Sequence, residues 1–131
     1  MKSYQFILIT IVLLFSACAS TQKAPMTHEE QAAHVEDLMH QMDRGSMSAI
    51  KHLWNLGYRQ EVVPYLGKAL AKRSARDRMF ALSLLNHIDN PPPNIVKAVE
   101  LMGKSEPNRK VRKLARRVLQ RWKVLELTKS E

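Results

Sequence analysis

The chain has one cysteine, 4 glycines and only 6% aromatic residues among 131, and its 12 acidic side chains are far outnumbered by 21 basic ones. Each scarcity excludes something. A single cysteine cannot form an intramolecular disulfide, nor can one chain build a thiolate metal cluster from it. No glycine-rich phosphate loop can be assembled from four scattered glycines. No apolar run approaches the roughly 20 residues that span a bilayer as a helix. Disorder is excluded as well, because 45% of the residues are hydrophobic. The length suits one helical domain.

The first residues explain the cysteine. Met1-Lys2-Ser3-Tyr4-Gln5 carries one positive charge, and the apolar run Phe6 to Phe15 has the length of a signal-peptide core. Small residues follow, Ser16-Ala17, and then Cys18. Leu14-Phe15-Ser16-Ala17-Cys18 resembles the lipobox of bacterial lipoproteins, with Phe15 in place of the usual aliphatic residue. The resemblance implies a signal peptide at 1–17, removed after acylation of Cys18, which becomes the lipid attachment site and fixes the chain to the membrane. A buried cysteine in a cytosolic protein and an uncleaved anchor are the alternatives. Several acyl chains on one residue would anchor firmly, since each buried methylene contributes about 0.8 kcal/mol. Residues 18–26 read as a flexible tether. Ala19 stands where lipoproteins retained in the inner membrane of enteric-type bacteria carry aspartate, so the expected location is the outer membrane, facing the periplasm.

From residue 27 to 126 the pattern is helical throughout. Thr27-His28-Glu29-Glu30 matches a capping box. Apolar residues then recur at three and four: Val35, Leu38, Met42; Ile50, Leu53, Leu56; Val63, Leu66, Leu70; Leu82, Leu85, Ile88; Ile95, Ala98, Met102; and Val111, Leu114, Val118, Trp122, Leu125. Gly45-Ser46, Gly57, Ser74, Asn90-Pro91-Pro92-Pro93 and Ser105-Glu106-Pro107-Asn108 interrupt them, which predicts six helices and a short tail at 127–131. The helices form an internal repeat. Ala49, Leu53 and Leu56 recur as Ala81, Leu85 and Ile88 at a shift of 32, and as Ala115, Leu119 and Trp122 at a further shift of 34. The expected architecture is an all-α, short α-solenoid of about three stacked hairpins, with the small alanines allowing close helix approach.

Arg78-Met79-Phe80-Ala81 and Arg112-Lys113-Leu114-Ala115 resemble the Arg-x-x-Ala second helix of HEAT-like repeats, and Glu61-Val62-Val63-Pro64 resembles the first helix. That family's arginines imply contacts between repeats for Arg78 and Arg112. No arginine precedes Ala49. A tetratricopeptide pattern is the second reading, since Gly57 to Leu70 fits part of it.

Charge is distributed unevenly along the chain. Residues 18–67 hold 4 basic and 6 acidic side chains, whereas 68–131 hold 16 and 6. On the last helix Val111, Leu114, Ala115, Val118, Leu119, Trp122 and Leu125 share one arc, and Arg109, Lys110, Arg112, Lys113, Arg116, Arg117, Arg121 and Lys123 fill the rest. Arg109, Arg112, Lys113, Arg116, Arg117 and Arg121 are therefore the candidate partner-binding residues. Arginine outnumbers lysine among them, which suits forked contacts to carboxylate or phosphate. A solvated face is the alternative.

No catalytic set, cofactor or metal is expected. His28, His34 and His40 are six residues apart and spread around a helix, while His52 and His87 are expected to pack beside apolar positions. Trp54 with Tyr58 and Tyr65 is a candidate aromatic patch. The expected function is non-catalytic: a lipid-anchored envelope protein whose repeats bind an envelope protein partner in a scaffold, docking or assembly role. Delivery of a secretion or pilus subunit is one version of it. The alternative is direct binding of anionic lipid, lipopolysaccharide or cell wall by the basic helix. Nucleic acid is not expected outside the cytoplasm.

Overall fold

The structure is a computed structural model that describes residues 25–130, so the expected signal peptide at 1–17 and Cys18 lie outside the described residues. Of the described residues, 25–31 belong to one unit and 32–130 to a second. In the first, the capping box is formed: the Thr27 amide donates to Glu30 Oε2 at 2.8 Å, and the Glu30 amide donates to Thr27 Oγ1 at 3.2 Å.

Six helices follow in order: α1 (His28–Asp43), α2 (Met47–Asn55), α3 (Arg59–Leu70), α4 (Ala75–Leu85), α5 (Pro93–Ser105) and α6 (Arg109–Lys129). No strand occurs among the described residues. Caps set their starts. The hydroxyls of Ser46 and Ser74 accept the Ala49 and Asp77 amides at 3.3 Å, and Asn108 Oδ1 accepts from Lys110 and Val111. Pro93 opens α5, where its missing N–H costs nothing. Pro64 sits inside α3 on an exposed position, removing one ladder bond.

Two glycines stop the first helices. Gly45 and Gly57 have φ of 84° and 94°, the left-handed region that other residues enter at a cost. Around each, paired bonds close the helix end: Gly45 to Met42 with Ser46 to Gln41, and Gly57 to Trp54 with Tyr58 to Leu53.

The last four helices pair as two stacked hairpins. Helix α3 packs on α4 and α5 on α6; α3 then meets α5 and α4 meets α6, so first helices stack on first and second on second. The first hairpin joins through α2 against α3. Ala49, Ala81 and Ala115 are all buried, as the repeat requires, together with Leu53, Leu66, Leu82, Leu85, Val99, Val111 and Val118. Each large apolar side chain removed from water contributes about 1.5–3 kcal/mol before entropy is counted. Helix α4 meets both α3 and α6, and so half-buries Met79, Phe80 and Leu84 besides its core residues.

Three details differ from the sequence expectation. Leu56 is 54% exposed, because Gly57 ends α2 at that point and no later helix covers it. On α3 and α5, Val62 and Val99 are fully buried where the expected positions were Val63 and Ala98, which are half-buried beside them. Helix α6 runs to Lys129, beyond the expected boundary at 126. The Lys129 ammonium bonds the Asn90 side chain and, at 3.4 Å, the Asp89 carbonyl, tying the last turn to the α4–α5 loop.

Candidate functional site

The loops inside the three hairpins lie along one edge, joined by cationic side chains that donate to backbone. Lys72 Nζ donates to the Gly45 carbonyl at 3.0 Å. Arg78 Nη1 donates to the carbonyls of Lys72 and Arg73 at 2.8 and 2.7 Å, and its Nη2 reaches Glu106 Oε1 at 2.7 Å. Glu106 also accepts the Asn108 amide at 3.0 Å, and its carbonyl accepts from Arg112. This ion pair is largely withdrawn from water, with Glu106 at 7% and the Arg78 side chain at 13% exposure. The two Arg-x-x-Ala arginines thus converge on one residue of the third loop. Glu106 was not singled out in the sequence, where Ser105-Glu106-Pro107-Asn108 reads as a break. The available signal was its place as the lone carboxylate beside two arginines of equal repeat position.

The six basic candidates on α6 fall into two groups. Arg112, Arg116 and Arg121 each bond the rest of the fold, Arg112 and Arg121 from half-buried positions and Arg116 from an exposed one. Arg112 bonds Glu106; Arg116 Nε donates to the Gly103 carbonyl at 2.8 Å; and Arg121 donates to the Ile88 carbonyl at 3.1 Å and pairs with Asp89 at 2.7 Å. Trp122 Nε1 reaches the same Ile88 carbonyl at 2.9 Å. Arg109, Lys113 and Arg117 are exposed, as is Lys110, and among the described residues none has a carboxylate within ion-pair distance. Arg109, Arg112, Lys113 and Arg116 line an open cleft of about 310 Å³.

The electrostatics of this end are adverse. No acidic residue stands in the first turn of α6, whose N-terminus carries the positive end of the helix dipole. Cations placed there repel it, each by about 0.3–1 kcal/mol at an exposed site. Further along the same outward face the character changes, for Val124 and Leu127 are 54% and 61% exposed. The sequence reading assigned these two no role.

The other candidates do not assemble. His52 and His87 are exposed, contrary to the packing expected of them: His52 stands at a solvent-facing step of α2 beside buried Leu53, and His87 lies past the end of α4 at Leu85. The His34 and His52 rings meet edge to face at 6.4 Å between centroids. Trp54 is buried beneath the Arg59 guanidinium, 5.2 Å from the ring, whereas Tyr65 turns to the loop edge and donates its hydroxyl to Asp43. Hydrogen bonding to the Asp43 carboxylate, reinforced by its charge, holds the Tyr65 phenol above the ordinary value of 10.0. No group of three or more metal-ligating side chains occurs among the described residues, and no described helix is long and apolar enough to cross a membrane.

No protein family, curated protein or solved structure is matched by this chain.

Proposed function

We propose that this is a non-catalytic, lipid-anchored protein of the bacterial cell envelope that docks an acidic protein surface on the outward face of α6. Anchoring rests on the Leu14-Phe15-Ser16-Ala17-Cys18 resemblance to a lipobox. The observation that carries the docking is the division of labour on α6. Arg112, Arg116 and Arg121 hold the fold, while Arg109, Lys113 and Arg117 stand without carboxylate partners on the outward face, Arg109 in the first turn at the positive end of the helix dipole. An anionic partner relieves repulsion that the folded chain otherwise carries. Arginine at two of the three positions suits forked contacts to carboxylates.

The test is cross-linked capture from solubilised envelopes with the tagged chain and its Arg109→Glu/Lys113→Glu/Arg117→Glu variant. One discrete protein partner, lost in the variant and released by salt, is the expected result. Equal capture by both chains removes the site from α6. The anchor is tested separately by fatty-acid labelling, which Cys18→Ser abolishes if the lipobox reading holds.

A second reading draws on Val124 and Leu127. Exposed apolar residues continuing a basic face form the amphipathic surface that binds anionic membranes. Co-flotation with vesicles containing phosphatidylglycerol, reduced by Val124→Ser/Leu127→Ser, would favour it over a protein partner.

A further inference from the structure

We propose that the acidic surface received by α6 is the outer face of α1 on a second copy of this chain, so that copies associate head to tail. The proposal rests on the docking reading above and names its partner. Helix α1 contains no lysine or arginine, and Glu36 and Asp37 are exposed on the side away from its buried Leu38 and Met42. Glu36 has no partner among the described residues; Asp37 accepts only from its helical neighbour Gln41, at 2.7 Å.

The spacing of the two faces corresponds. Exposed Ala33, Glu36, Asp37 and His40 follow steps of three, one and three along α1. Lys113, Arg116, Arg117 and Gln120 follow the same steps along α6, also exposed. Residues at such spacing share one helix face. Laid together over roughly 10 Å of helix, the two ridges set Glu36 and Asp37 against Lys113 and Arg117, the cations of that ridge not already bonded within the fold as Arg116 is. The small Ala33 leaves room for a long side chain at its end of the ridge. Within one chain α1 and α6 belong to the first and third hairpins, and no ion pair among the described residues joins them.

This arrangement has a definite symmetry. Two different faces are used, so the contact is heterologous and association continues past the dimer. The outer helices of a repeat array usually carry polar caps. Here they carry opposite charge, following the imbalance between residues 18–67 and 68–131. Because exposed ion pairs are individually weak, association is reversible and salt-sensitive.

The experiment uses the full chain purified from bacterial membranes in mild detergent. Sedimentation velocity at low salt should show species larger than the protomer that grow with concentration and dissociate as salt is raised. Glu36→Lys/Asp37→Lys and Lys113→Glu/Arg117→Glu, each alone, should be monomeric, with circular dichroism unchanged. Mixing the two variants should restore association, because every reversed face then meets its complement. A second measurement needs no variant: carbodiimide coupling of mixed light and isotope-labelled chains should join Glu36 or Asp37 of one copy to Lys113 of another. A wild-type chain monomeric at all concentrations, variants that associate like wild type, or a mixture that stays monomeric overturns the proposal. If any of these occurs while Lys113 and Arg117 still govern capture of an envelope protein, only the second-copy partner fails and the docking reading stands.

Discussion

Arg78 and Arg112 each stand four residues after an N-cap and three before a buried alanine, whereas the matching place in the first hairpin is Ser46, itself the cap of α2. Helix α2 therefore lacks the opening turn that α4 and α6 possess. The alanine is retained in all three hairpins because it sets how closely helices stack, which every repeat needs. The arginine belongs to the loop. Where it is missing, the loop is held from the next hairpin instead, by Lys72 on the Gly45 carbonyl and Tyr65 on Asp43. The second and third hairpins thus share a buried ionic centre, and the first is fastened by flexible, water-exposed groups.

Breaking each fastening should show the difference most strongly. Glu106→Ala leaves the Arg78 guanidinium withdrawn from water without its carboxylate, which costs about 3–5 kcal/mol. Lys72→Ala removes one exposed bond and costs about 1 kcal/mol or less. Denaturant unfolding of the two variants measures both. Equal losses would mean that burial of the Arg78–Glu106 pair carries no weight. Replacing both partners, as Arg78→Met/Glu106→Leu, should recover part of the loss, because no uncompensated charge then remains.

How far the sequence revealed this depends on the range of the interaction. The six helices, their breaks and the three alanines were legible, since caps, glycines and apolar steps of three and four act within a few residues. The α6 arc was legible for the same reason, and its core residues Val111, Ala115, Val118 and Trp122 are buried. What could not be read was which cations were already taken. Arg121 looks as free as Arg117 on a helical projection, yet Asp89 lies 32 residues away in sequence and 2.7 Å away in space. Leu56 misled because periodicity cannot see that Gly57 turns the chain away. Cys18 and its lipobox reading fall outside the described residues and rest on the sequence alone.

The helix ends supply an intermediate effect. Gly57→Ala places a side chain at φ of 94° with nothing within 4 Å to obstruct it, so the cost is backbone alone, about 1–2 kcal/mol. The loss should appear locally. Hydrogen exchange should quicken in α1 and α2 well before α4 and α6, since the first hairpin is the least firmly fastened. Uniform acceleration across all six helices would show instead that the hairpins unfold as one unit.

Charge reversal at the start of α6 should move stability the other way. Arg109→Glu exchanges a repelled cation for an anion at the positive end of the dipole, and gains about 0.3–1 kcal/mol. A raised melting temperature together with lost partner capture would mark Arg109 as a residue kept for binding against the interest of the fold. A lowered melting temperature would show that Arg109 supports the fold through a contact the ion-pair geometry does not include.

The smallest effect concerns Tyr65, and pH separates it from the rest. Its phenol is held above 10.0, first by the hydrogen bond it donates to Asp43, then by desolvation, and last by the negative charge of that carboxylate. A folded-state value raised above the unfolded one means that the bond contributes in full below about pH 10 and is lost as pH rises through the folded value. An ultraviolet titration should therefore show a tyrosine transition above pH 10 that belongs to Tyr65. Asp43→Asn should bring that transition down toward the ordinary value, and Tyr65→Phe should remove it. Because both groups are exposed, stability near neutrality should change little in either variant. A titration unchanged by Asp43→Asn would break the contact that joins the first hairpin to the second at this edge, leaving Lys72 on Gly45 as the fastening between their loops.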